Sequence, residues 1–181
     1  MNPLDIIAEY YDPASKAFEI LMRHGRQVAH KALSIAQNNA ALQPDKDFLE
    51  NAAMLHDIGI FMTNSPGVGG QGRHPYICHG VLGAQLLEDK GLPDLALVCE
   101  RHVGVGISAE DVRHFSLPLP QRDMLPVTIE EQIICYADKF FSKNANGCQE
   151  AKTVEQIMRD LKSYGSGKVD RFQGWVKMFE R

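Results

Sequence analysis

Apolar residues recur three and four positions apart along most of the chain, the spacing that places them on one face of a helix. In the first long segment the apolar positions are Phe18, Leu21, Val28, Ala32 and Ile35. Pro13 suits the first turn of a helix, and Asp12 suits the N-cap position before it. We therefore predict a helix from Pro13 to about Asn38.

The same spacing predicts helices over about 45–57, 76–90, 94–102, 128–141 and 153–164, and a last helix that ends near residue 179. Thr128 and Glu131 have the spacing of a capping box at the start of one of them. No segment alternates apolar and polar residues as a strand would. The pattern predicts an all-α helical bundle, one domain over residues 1–181 that ends in C-terminal helices over about 153–180.

Two irregular stretches interrupt the helices. Residues 62–75 contain four glycines and two prolines, and residues 115–127 contain three prolines, so neither stretch continues a helix. The first stretch is long for a connection within a compact domain, which favours a lid or a binding loop. We expect both stretches to shape a pocket.

The composition is that of a globular protein. The chain has 181 residues, of which 44% are hydrophobic and 23% charged, and its formal net charge is −4. This charge argues against an extended surface for nucleic acid or for an anionic membrane. No signal peptide is apparent, no apolar run approaches the roughly 20 residues that span a bilayer, and the four cysteines show no Cys-x-x-Cys spacing. We expect a cytoplasmic protein.

An ionisable pair, His56-Asp57, follows the apolar run at 52–55 and leads into Ile58-Gly59. Burying unpaired charge is costly, so a pair in this place needs a partner or a metal ion. His24 and Asp138 fall on the apolar faces of their own helices. A lone inward histidine is more often a hydrogen-bonded core residue than a ligand, and an arginine would serve Asp138 as well as a metal. Taken together, the four residues predict a metal site.

His79 and His102 extend this set. Each could instead be a helix-end histidine that interacts with the helix dipole, a common structural role. Together the six residues supply imidazole nitrogen and carboxylate oxygen, a donor set that suits iron, manganese, zinc, nickel or cobalt.

The order of these residues, His24, then His56-Asp57, then Asp138 on a helical chain, resembles the HD-domain superfamily of metal-dependent phosphohydrolases in its His-Asp-Ile-Gly variant. The resemblance runs from about residue 20 to 145. It implies an HD-domain helical bundle in which these four residues bind a divalent metal. His79 and His102 match subfamilies that hold two metals, which implies that Asp57 bridges the two ions and is the catalytic carboxylate.

The resemblance implies cleavage of a phosphoester or phosphoanhydride in a small metabolite or nucleotide by a metal-activated water. The candidates for binding the substrate phosphate are cations placed near the ligands by sequence: Arg73, His74, Arg101, Arg122, Lys139 and Lys143. Two alternatives stay open. The superfamily also contains oxygenases with a di-iron centre, and a metal could serve only to stabilise a non-catalytic sensor or scaffold.

Overall fold

The computed structural model describes residues 2–143 and 151–180. In these residues the α-helices are α1 (Pro3–Ala8), α2 (Lys16–Asn38), α3 (Lys46–Leu55), α4 (His79–Asp89), α5 (Pro93–Arg101), α6 (Ala109–His114), α7 (Ile129–Asp138), α8 (Val154–Lys162) and α9 (Ser166–Phe179). Short 3₁₀ turns lie at Ala40–Leu42, Ile58–Met62, Pro66–Val68 and Tyr76–Cys78. The prediction of an all-α fold is confirmed. α1 and α6 were not predicted, because six residues are too few to show a helical period.

The segment 62–75, predicted to contain no strand, forms a minimal antiparallel hairpin. β1 (Asn64–Ser65) pairs with β2 (Gly70–Gln71) across a 3₁₀ turn. The chain returns so closely that a Cβ on Gly72 would collide with the backbone of Met62. The segment therefore forms a compact hairpin rather than an open loop.

α2 begins at Lys16 rather than at Pro13. Ser15 is its N-cap, and the Ser15 Oγ accepts a hydrogen bond from the Phe18 amide at 3.1 Å. The Asp12 carboxylate instead accepts a bond from the Ala14 amide at 2.9 Å, which closes a turn before the helix. Both residues suit an N-cap chemically, and the structure uses the second of them.

α7 ends at Asp138, although the apolar pattern predicted that it continues to Phe141. Beyond Asp138 the amides bond three residues back, as Phe140 does to the carbonyl of Ala137 at 3.3 Å. The N-cap prediction is confirmed in part. Thr128 accepts a bond from the Glu131 amide, but the Glu131 carboxylate accepts from Val127 and so completes no capping box.

The main apolar core lies between the long helices, and a smaller one contains Ile107, Val112 and Met124. α2 packs against α3 and α7, and α4 packs against α5. α9 joins the main core through Phe172, whose ring stacks on Tyr136 of α7 with centroids 5.0 Å apart. Cys78, Cys99 and Cys135 are buried free thiols, and Cys148 lies outside the described residues. No helix in the described ranges has the length and apolar character needed to cross a membrane.

Candidate metal centre

Five helices bring the six predicted ligands together. His24 lies within α2, His56 and Asp57 follow the end of α3, His79 is the first residue of α4, His102 caps the end of α5, and Asp138 is the last residue of α7. None of the six residues is more than 4% exposed in relative terms. The bundle therefore encloses a cluster of four imidazoles and two carboxylates.

Gly59 lets α4 come close enough to deliver His79. A Cβ on Gly59 would collide with the carbonyl oxygen of His79 and with the amide of Gly83. Only glycine leaves room for this approach. The glycine that follows the His-Asp pair is thus a packing requirement of the centre.

The two oxygens of Asp57 face different side chains. Oδ2 lies 3.4 Å from Nε2 of His24 and 3.3 Å from Nε2 of His56. Oδ1 lies 3.3 Å from Nε2 of both His79 and His102. Asp138 joins the first side, with its Oδ1 2.9 Å from Nε2 of His24. We call His24, His56 and Asp138 the first group, and His79 and His102 the second group.

Backbone carbonyls fix the orientation of three of the imidazoles. Nδ1 of His56, His79 and His102 lies 2.7 Å from the carbonyl oxygen three residues earlier, on Ala53, Tyr76 and Cys99. A carbonyl oxygen can only accept, so each Nδ1 carries the proton. In the neutral ring, Nε2 then presents its lone pair toward Asp57. This is the usual arrangement of metal-binding histidines.

The second group leaves two ring nitrogens facing each other. Nε2 of His79 and Nε2 of His102 lie 3.1 Å apart. Burial lowers the pKa of His102 to about 3, so that ring is neutral at pH 7. A cation between these two ring nitrogens would be bound by both. Asp57 Oδ1 also has no hydrogen-bond partner among the described residues, so this donor set fits a metal ion.

The first group carries more charge. Burial lowers the pKa of His56, but the negative charges of Asp57 and Asp138 outweigh it and raise that pKa to about 9. Burial lowers the pKa of His24. Burial also acts to raise the pKa of both carboxyls, but neighbouring cations hold them well below their usual range: His56 and Lys143 for Asp57, and Lys139 and Lys143 for Asp138. Both carboxylates are therefore ionised and available as oxygen donors. The buried His/Asp clusters are compatible with divalent metal binding.

Two of the predicted phosphate-binding cations reach the centre. Lys143 Nζ lies 3.0 Å from Asp57 Oδ2 and 3.5 Å from Asp138 Oδ1. Lys139 Nζ lies 3.0 Å from Asp138 Oδ2. Both lysines also line a cleft of about 710 Å³ that opens beside the first group.

The other four candidates are not brought to the centre. Arg101 Nη1 binds both oxygens of Glu131, at 2.9 and 3.0 Å, and Arg122 pairs with Glu100. The adjacent Arg73-His74 is exposed beyond the hairpin. None of the four lines the cleft. Arg101 directly precedes His102 but points away from the centre, because consecutive helical residues point in different directions.

Both irregular stretches that were expected to shape a pocket contribute to the cleft, one through Val68 and the other through Phe115 and Leu117. What the sequence did not single out is the pair of exposed aromatic residues on the cleft, Phe115 and Tyr164, which lie near the ends of α6 and α8. The apolar spacing that predicts buried helix faces does not identify an aromatic residue that stays exposed. The one available signal was the position of each beside a predicted break in the helices, in the stretch 115–127 and before Gly165.

Comparison with known proteins agrees with this geometry. The HD domain family profile matches residues 21–142. An uncharacterised protein of Methanocaldococcus jannaschii is 37% identical over 107 residues, which are 59% of this chain and 56% of that protein. No solved structure gives a significant match.

Two further relatives are named tRNA (cytidine(56)-2'-O)-methyltransferase. The protein of Picrophilus torridus is 32% identical over 130 residues, and that of Thermoplasma volcanium is 33% identical over 140 residues. These matches cover 71% and 77% of this chain but 33% and 35% of the methyltransferases. The chain thus spans about a third to a half of the length of these relatives.

Proposed function

The chain belongs to the HD-domain family, and we propose that it is a metal-dependent phosphohydrolase that cleaves a phosphoester or phosphoanhydride of a small metabolite or nucleotide. The observation that carries the proposal is the position of Asp57. Its two carboxylate oxygens face two separate groups of metal-competent side chains at 3.3–3.4 Å. A carboxylate placed in this way can bridge two ions.

In this proposal the two groups hold one ion each. His24, His56 and Asp138 would bind the first ion, His79 and His102 the second, and Asp57 both. Ions bound there would lower the pKa of a coordinated water and neutralise charge on the phosphoryl oxygens. The carbonyl bonds to Nδ1 of His56, His79 and His102 hold these rings in place, which reduces the reorganisation that binding requires.

Lys143 is the side chain best placed to bind the phosphoryl group. Burial acts to lower its pKa, but the charges of Asp138 and Asp57 raise it well above the ordinary value, so the ammonium group stays charged at neutral pH. It lies between the carboxylates of the centre and the cleft. From there Nζ can donate to a phosphoryl oxygen, while Lys139 balances the charge of Asp138.

The test is a phosphatase assay on the protein loaded with manganese, cobalt or iron. We expect wild type to hydrolyse phosphate esters and Asp57→Asn to lose that activity. Asp170→Asn, which changes an exposed aspartate of α9 away from the cleft, controls for the loss of one charge and should behave as wild type. Absence of hydrolysis by wild type with every phosphoester, phosphoanhydride and metal would overturn the proposal.

The same preparations address the two alternatives. Oxygen uptake by the iron-loaded protein under air, without phosphate release, would identify an oxygenase. A metal that raises the unfolding temperature while neither reaction occurs would identify a non-catalytic scaffold. Phosphate release that requires Asp57 supports the hydrolase.

A further inference from the structure

The four lysines that line the cleft pair with different carboxylates. Lys139 and Lys143 lie against the metal centre, where they contact Asp138 and Asp57. The partners of the other two lysines lie outside the centre. Lys152 pairs with Asp160 at 2.8 Å, and Lys168 pairs with Asp111 and donates to the carbonyl of Gly106 at 3.1 Å. An ion bound at the centre would compete with Lys139 and Lys143 for these carboxylates and so leave the two lysines available to a phosphoryl group, whereas Lys152 and Lys168 stay neutralised by their own partners.

Apolar side chains form much of the remaining wall of the cleft. Val103, Ile107 and Leu117 line one side, and Ile157 and Leu161 of α8 line another. A cleft of about 710 Å³ lies within the range, about 300–1,000 Å³, that encloses a small organic molecule. Its size and its walls suit an uncharged, largely apolar group attached to the phosphate.

Two aromatic side chains on this cleft are unusually exposed. Phe115 is 45% exposed and Tyr164 is 60% exposed in relative terms. Ser116 follows Phe115 in the left-handed region with φ 49°, and Gly165 follows Tyr164 with φ 106°. Both rings therefore precede a sharp backbone turn. The ring of His114 packs edge-on against Phe115, with centroids 4.6 Å apart, and supports its position.

We infer that the cleft selects a phosphomonoester whose ester group is planar and largely apolar, and that Phe115 and Tyr164 contact that group by stacking. This inference rests on the proposed phosphohydrolase function. An aryl group and the base of a nucleoside share the planar face that stacking requires. In the reaction the phosphorus–oxygen bond to the ester group breaks, a water oxygen takes its place on phosphorus, and the alcohol leaves with a proton from that water.

The carboxylates outside the centre argue against a substrate with a second phosphate. Such a group would meet Asp111 and Asp160, which also line the cleft and pair with Lys168 and Lys152. A sugar or polyol phosphate that carries no base has no planar face to stack on Phe115 or Tyr164. Both classes should therefore be poorer ligands than a planar monoester.

Binding tests the inference without turnover. Phenylphosphonate and methylphosphonate carry the same anionic group and cannot be hydrolysed at an ester bond. We expect calorimetry on the metal-loaded protein to show phenylphosphonate binding about tenfold more tightly, since an aromatic side chain stacked on a planar group makes a contribution of that order. Equal affinities would overturn the inference.

Substitutions on the cleft test whether Phe115 and Tyr164 cause the preference for phenylphosphonate. Phe115→Ala and Tyr164→Ala should lower the affinity for phenylphosphonate toward that for methylphosphonate, while Tyr164→Phe, which keeps the ring, should retain it. Leu42→Ala changes a side chain that is 39% exposed and away from the cleft, and it should leave both affinities unchanged. A preference that survives both alanine variants would exclude Phe115 and Tyr164 as its cause.

Hydrolysis assays separate the inference from the function on which it rests. Phenyl phosphate and a nucleoside 5'-monophosphate should have a lower KM than glycerol phosphate, and the better of the two identifies the kind of planar group. Equal KM values for all three esters would overturn the inference and leave the proposed function standing. If none is hydrolysed and neither phosphonate binds, the proposed function fails, and the inference fails with it.

Discussion

The two sides of Asp57 differ in charge and in surroundings. The first group contains a second carboxylate, has two lysines within 3.5 Å of its carboxylate oxygens, and borders the cleft through Asp138. The second group contains imidazoles alone, shares one oxygen of Asp57, and does not line the cleft. Two ions bound by this one carboxylate would therefore not be equivalent. The first would face the substrate, and the second would be held deeper in the bundle.

Asp57→Asn should have the largest effect, because it acts on both sides at once. The amide nitrogen replaces one oxygen, so no carboxylate remains to join the groups. We expect binding to fall from two ions per chain to at most one weakly held ion, and turnover to fall by more than about 100-fold. Metal analysis after gel filtration measures the number of bound ions per chain, and the phosphatase assay measures the turnover. Wild-type metal content in this variant would remove Asp57 from the centre.

Substitutions confined to one group should separate the ions. His102→Ala removes a ligand from the second group, and we expect it to retain the first ion. His24→Ala should do the reverse. Because the first ion faces the cleft, His24→Ala should lower turnover more than His102→Ala does. Titration with manganese, followed by equilibrium dialysis, counts the ions that remain. If either variant loses both ions together, the two groups do not bind independently.

Gly59→Ala should weaken the second group without changing a ligand. The added methyl group would push α4 away and move His79 from Asp57. Overpacking of this kind costs about 1–3 kcal/mol in the free energy of unfolding, and the second ion should be lost first. Gly174→Ala is the matched control. A Cβ at Gly174 would meet nothing within 4 Å. Replacing a glycine within a helix by alanine raises the free energy of unfolding by about 0.5–1 kcal/mol. Denaturant unfolding compares the two.

The smallest effect concerns protons. In the metal-free protein His56 has a pKa of about 9 and is protonated at pH 7, but as a ligand it must be neutral. Loading of the first ion should therefore release a proton, and its affinity should weaken by about tenfold for each pH unit below 9. His102, with a pKa of about 3, is already neutral and releases none.

Calorimetry in two buffers of different ionisation enthalpy measures this release. His102→Ala reports on the first ion, and His24→Ala reports on the second. A larger proton release from His24→Ala than from His102→Ala would contradict the difference between the two sides.

The convergence of the six candidate ligands could be anticipated from the sequence for a physical reason. Ionisable side chains on apolar helix faces need partners, and helices that share a core turn those faces toward one another. His24 and Asp138 illustrate this, since they lie 114 positions apart and their side chains are within 2.9 Å. Whether a helical side chain points into the bundle can be read from the sequence, because its neighbours three and four residues away share the same helix face.

The cleft could not be anticipated in the same way. Arg101 is adjacent to His102 but binds Glu131, while Lys143 lies five residues beyond Asp138 and reaches back to it. Which cation faces the substrate depends on how the chain turns after a helix ends. Phe115 and Tyr164 likewise line one cleft only because α6, α8 and α9 are folded together. Which side chains share the cleft depends on tertiary packing, and the spacing of apolar residues along the chain does not predict it.

The most direct test is a crystal structure of the manganese-loaded protein with anomalous diffraction at the metal edge. The account predicts two anomalous peaks about 3.5–4 Å apart. One should lie between Asp57 Oδ2 and the first group, and the other between Asp57 Oδ1 and the second group. A single peak, or two peaks that do not share Asp57, would contradict the claim that this carboxylate joins two ions.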